Sequence, residues 1–139
     1  EQEARTHTAF TALMWALSHP GQVQIVPWKG LTLFFAIGET LVDLETSFYT
    51  SDDELELMLS RLGGRSLPPQ DAMYQFYPEL KEIDQFDLQE APIGTYTYPD
   101  EAATLVIGAR LGTGQKLRLS GPGILGTNEL TVDNVPHSF

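Results

Sequence analysis

The chain offers few side chains that could do chemistry, and their spacing argues against most of what they could do. Lys29, Arg110, Lys116 and Arg118 are the cations that, converging on one pocket with a carboxylate, would hold and activate an anionic substrate. Gly112-Thr113-Gly114-Gln115-Lys116 resembles the end of a phosphate-binding loop, but the first glycine is misplaced and neither Ser nor Thr follows the lysine. A Schiff-base role for Lys116 would need desolvation or a cationic neighbour, and its alternation with Leu117 reads as a solvated strand lysine. His7, His19 and His137 are far apart and form no i, i+4 pair, so no metal site follows from them. Asp52, Asp53, Glu54 and Glu56 cluster as hard-cation ligands do, yet acids in a first helical turn are already explained by capping and by the helix dipole. Gly121-Pro122-Gly123-Ile124-Leu125-Gly126 fits a dinucleotide fingerprint in its glycines alone: proline occupies the tight turn and no helical stripe follows. It reads as a turn. The residues therefore give no catalytic set, no cofactor site and no metal site.

Composition narrows the class further. With 139 residues, the chain is expected to form one domain, residues 1–139. Eight Lys and Arg against nineteen Asp and Glu leave a net charge of -11, which repels phosphate backbones and anionic lipid. Nucleic acid and membrane are thus not expected partners. No apolar run approaches the roughly 20 residues of a membrane span, and the longest, Leu31 to Gly38, is too short. There is no cysteine, hence no disulfide, thiolate nucleophile or iron-sulfur ligand set. The chain begins at Glu1 with no signal-peptide pattern, and the cytoplasm is the expected compartment.

The elements that must position these residues can be read from periodicity. Phe10, Leu13, Met14 and Leu17 form the apolar stripe of a helix over His7 to Ser18, with Thr6 as N-cap and Pro20-Gly21 as its stop. Trp15 lies off that stripe, so it is the candidate residue for a protein interface, where tryptophan is enriched. Gln22 to Val26 reads as a short strand, Leu31 to Leu44 fits helix and strand templates alike and is read as a buried helix, and Glu45 to Thr50 reads as a strand. Ser51 to Glu54 reads as a capping box opening a helix that stops at Gly63-Gly64. Ala72 to Tyr77 reads as a strand, and Pro78 to Gln89 as one or two weak helical turns. Thr104 to Ala109 and Lys116 to Ser120 read as two strands folded back across Gly112-Thr113-Gly114 as an antiparallel hairpin, closed by the Gly121-Pro122-Gly123 turn. Strands separated by helices, with one antiparallel pair, predict an α/β layered sandwich with a mixed central sheet flanked by helices.

Two stretches carry a resemblance. HTAFTALMWALSHPGQV at His7 to Val23 and GTYTYPDEAATLVIGARLGTGQKLRLSGPGI at Gly94 to Ile124 are similar to the PhnH family, the accessory subunit of the bacterial carbon-phosphorus lyase system. The resemblance implies an α/β fold like the large domain of pyridoxal-phosphate transferases without their cofactor. It also implies a cytoplasmic subunit, homodimeric when alone, that joins the other core subunits in phosphonate catabolism. That complex transfers methylphosphonate onto ribose triphosphate, displacing adenine from ATP, before a separate radical enzyme cleaves the carbon-phosphorus bond. Two departures stand out: Thr11 occupies a position that is often Arg in the family, and the Phe-Pro-Leu-Gly and Pro-Arg-Thr signatures expected after Gly126 do not occur. The expectation is therefore a sheet short of one strand, with an exposed edge.

Three functions of different kinds follow: an assembly subunit inactive alone, a small enzyme acting on a phosphonate or nucleotide, and a phosphonate-binding regulator.

Overall fold

The computed structural model describes residues 1–137 and 139. Its elements are α1 (Gln2–Ser18), α2 (Gly30–Leu41), β1 (Ser47–Thr50), α3 (Asp53–Ser60), β2 (Arg65–Ser66), β3 (Tyr74–Tyr77), α4 (Asp84–Glu90), a 3-10 turn (Pro99–Glu101), β4 (Thr104–Ile107), β5 (Arg110–Leu119) and β6 (Asn128–Asp133). The α/β class holds, but the strands form two sheets. One is four-stranded and parallel, in the order β2-β1-β3-β4; the other is an antiparallel ribbon of β5 and β6. The single mixed sheet expected from the sequence is thereby corrected.

The parallel sheet is built on apolar strands, as burial on both faces requires. Phe48, Tyr74, Phe76 and Val106 share one face by register, and α2 and α3 cover it. Phe34, Val42, Leu55 and Leu59 complete that core. On the opposite face lie Tyr49, Gln75 and Tyr77, with α4 above them. The helix α1 packs on α2 instead of on the sheet. Arg5 grips Glu39 there with two nitrogens, Nε to Oε1 and Nη2 to Oε2 at 2.8 Å, a fork geometry that fixes the register of the two helices.

Several expectations are corrected in detail. Helix α1 starts earlier than His7, and Thr6 lies inside it, its hydroxyl donating back to the carbonyls of Gln2 and Glu3. Gln22 to Val26 is not a strand. The cap of α3 is Asp52, whose Oδ1 accepts from the Leu55 amide at 2.8 Å, one residue later than the Ser51 box. Gly63 does take the left-handed conformation (φ +90°) beyond that helix.

The largest correction concerns the two strands around Gly112-Thr113-Gly114. They do not pair with each other: β4 joins β3 in the parallel sheet, and Lys116 to Leu119 pair with β6. Gly112 (φ +97°) and Gly114 (φ +88°) form a bulge inside β5, where Leu111 and Gln115 both face Val132. The hairpin is β5-β6, and Gly121-Pro122-Gly123 lies in its connecting loop. No helix among the described residues is long and apolar enough to cross a membrane.

Candidate functional site

Three regions of the surface hold the residues singled out by the sequence. The first is the outer face of α1. Its inward stripe is Arg5, Ala9, Leu13 and Ala16, whose two alanines let the helix lie close, with Ala9 buried. The expected stripe is therefore displaced: Phe10, Met14 and Leu17 face solvent. Trp15 joins them at 49% exposure. Its ring stacks on His19, centroids 5.0 Å apart, while the His19 amide closes the helix on the Trp15 carbonyl at 3.0 Å. A half-exposed aromatic is thus stacked on His19 at the end of the helix.

The second region is the carboxyl edge of the parallel sheet. From β1 the chain moves to β2 on one side, and from β3 to β4 on the other, so the ends of β1 and β3 flank a topological switch point, where open α/β sheets bind ligands. A polar cleft of about 220 Å³ lies there, lined by Ser51, Asp52, Glu79, Lys81 and Asp84. Two of its carboxylates already have structural partners: Asp52 caps α3, and Asp84 Oδ2 accepts from the Lys81 amide at 2.8 Å. Beside it, at the end of β4, an open and largely apolar cleft of about 550 Å³ runs between Gly30, Leu33, Ile107 and Arg110.

The third region is the outer face of the ribbon. Arg110 stands opposite Asp133, Lys116 opposite Thr131 and Arg118 opposite Glu129, so strand alternation puts the three cations on one face. Lys116 Nζ lies 3.5 Å from Glu129 Oε2, with both side chains solvated. Lys29 is elsewhere, at the N-cap of α2. Three of the four cations a phosphonate or nucleotide enzyme would need are thus spread along a ribbon; Arg110 lines the apolar cleft, whose wall has no carboxylate among the described residues. His7 and His19 sit on one helix 12 residues apart, about 18 Å by helical rise, and His137 lies beyond β6.

The segments that carry the two sequence signatures meet in space. Gly123, in the ribbon loop, has φ +85° and lies so close to the Ser18 carbonyl that a Cβ there would overlap it. Asn128 Nδ2 donates to the Pro20 carbonyl at 2.9 Å. The end of α1 and the loop after β5 are therefore one structural unit. The profile of the family described as bacterial phosphonate metabolism protein, PhnH, matches residues 1–139. The chain belongs to the PhnH family. It is also 34% identical over 143 aligned positions to HtxG of Stutzerimonas stutzeri, named as a C-P lyase subunit protein, with 96% of this chain and 68% of HtxG covered.

This member of the family also contains a polar cluster that the sequence did not announce. Tyr49 donates to Asp87 Oδ2 at 2.9 Å and Tyr77 to Gln75 Oε1 at 2.8 Å, with the two rings 5.9 Å apart. Gln75, fully buried, donates in turn to the carbonyls of Pro69 and Ala72. Burial, then the bond to Asp87, pushes the Tyr49 hydroxyl up to about 12. Burial likewise raises Tyr77, reinforced by the nearby Asp87 charge. Both phenols are locked as neutral donors, the role of a structural brace. The available signal was Tyr49, Gln75 and Tyr77 on one strand face opposite an acidic helix.

Proposed function

We propose that the chain is an accessory subunit of the C-P lyase core complex in phosphonate catabolism. In this reading it supports transfer of methylphosphonate onto the ribose triphosphate of ATP and makes no bond itself. Family membership and the name given to HtxG support the reading. The observation that carries it is the solvent side of α1, where Phe10, Met14, Trp15 and Leu17 are all exposed on one helix. Trp15 is the anchor of that contact. The same proposal includes a single domain over residues 1–139, a cytoplasmic location, a homodimer in the absence of partners, and a scaffold related to the pyridoxal-phosphate transferase large domain without cofactor. Co-expression with the other core subunits tests it: the chain should co-purify with them, and Trp15→Ala should weaken that association.

The cleft beside Arg110 favours one second reading, a phosphonate- or nucleotide-binding regulator. It predicts that methylphosphonate or ATP raises the melting temperature of the isolated chain, an effect the subunit reading does not require.

A further inference from the structure

Helix α4 turns acids inward and its one aromatic residue outward. Its inward side carries two acids beside Leu88: Asp84 is 6% exposed and Asp87 is bonded to Tyr49, while Ile83 just before the helix and Phe86 within it are 71% and 70% exposed. An amphipathic helix packs its apolar stripe on the core. Here the spacing of Ile83 and Phe86 would allow that, but the sheet face beneath carries Tyr49, Gln75 and Tyr77, whose hydroxyl and amide groups need polar partners. Asp87 turns toward them, and the apolar pair is directed out. Those two side chains flank a shallow depression of about 480 Å³ shared with Glu82, Gln85 and Gln89.

The surroundings of the pair are acidic. Glu79, Glu82 and Glu90 are exposed around it, and Lys81 is the cation among residues 79–90. The rim thus carries part of the chain's net charge of -11. An apolar centre ringed by acids complements a surface that offers an apolar projection flanked by Lys or Arg. A second copy of this chain fits poorly. A two-fold axis through Phe86 would set the acidic rim against its own equivalent, and docking onto the cationic ribbon of another copy would be head-to-tail, giving a ring or a filament and not a two-fold dimer.

We propose that Ile83 and Phe86, with the acidic rim around them, form a docking surface for a basic, apolar-tipped surface of another C-P lyase core subunit, separate from the face of α1. The proposal rests on the subunit reading above for the identity of that partner. The test uses the full chain and the other core subunits of the same organism. Ile83→Ser/Phe86→Ser should leave the melting temperature unchanged, since both side chains are solvated, and should weaken binding at least about tenfold. Glu79→Gln/Glu82→Gln/Glu90→Gln should slow association and flatten its dependence on salt. Amide hydrogen exchange on the unaltered complex should show protection over residues 83–90. Wild-type affinity in the folded serine variant, or unchanged exchange at α4 in the complex, would overturn the surface while leaving the subunit reading intact. Self-association of the wild type that the serine variant abolishes would overturn it in favour of a second copy. Absence of any binding by the wild type would overturn both.

Discussion

The side-chain amide of Asn128 donates to the carbonyl oxygen of Pro20 at 2.9 Å, joining residues 108 positions apart. Around that bond the ribbon loop closes over the last turn of α1, with Gly123 against the Ser18 carbonyl and Gly21 against Asn128. The ribbon is thereby attached at both ends, by the short connection after β4 and by this contact. The two parts of the chain that mark the family are the two halves of one joint.

Gly123→Ala should therefore cost more than an ordinary loop substitution. It forces a side chain into a left-handed conformation and against a carbonyl, an expense of about 1 to 3 kcal/mol. Asn128→Ala should cost about 1 kcal/mol through the lost hydrogen bond. Thermal or urea unfolding of the two variants measures both.

Residues 51 and 52 separate the cap read from sequence from the cap in the structure. Asp52→Ala should lower stability by about 1 kcal/mol. Ser51→Ala should change it by less than about 0.5 kcal/mol. A larger loss at Ser51 would restore the capping box.

Alkaline pH should weaken the fold through Tyr49. Its folded pKa, about 12, lies above the ordinary value of 10.0, so the unfolded chain gives up that proton first. The sign follows: the contribution is complete below about pH 10 and is lost as pH rises toward 12. Tyr77 acts in the same direction. Urea unfolding from pH 8 to 11.5 should show falling stability, with a smaller fall in Tyr49→Phe.

Much of the scaffold was legible where a pattern is local. The strands β1 and β3 and the acidic start of α3 follow from periodicity and capping within a few residues, whereas the pattern at α2 fitted helix and strand alike and was read as the helix that the structure shows. The ribbon was not, because glycines at 112 and 114 signal a hairpin turn as strongly as they permit a bulge, and only contacts with the distant β6 decide between them. Gln22 to Val26 alternates like a strand but finds no sheet edge to join. In α1 the large apolar residues suggested the inner face, whereas the helix packs through Ala9 and Ala16 and leaves Phe10 and Met14 outside. Trp15 was expected at the surface because it lies off the stripe of Phe10, Leu13, Met14 and Leu17; it is half exposed, but so is most of that stripe. The outward turn of Phe86 required knowledge of the polar strand face below α4.

Trp15→Ala should separate stability from assembly. The side chain is half exposed, so its removal should shift the unfolding free energy by less than about 1 kcal/mol, including its stacking on His19. Binding to the core subunits should weaken at least about tenfold, as for a central aromatic anchor. Isothermal titration alongside thermal unfolding reads the two effects.

The most direct measurement combines chromatography with turnover. The purified chain, the remaining core subunits and their mixture are each passed over a sizing column with light scattering, then given ATP and methylphosphonate. The account predicts that the chain elutes within the complex and that, alone, it releases no adenine. A chain that stays apart from the subunits, or releases adenine on its own, would contradict it.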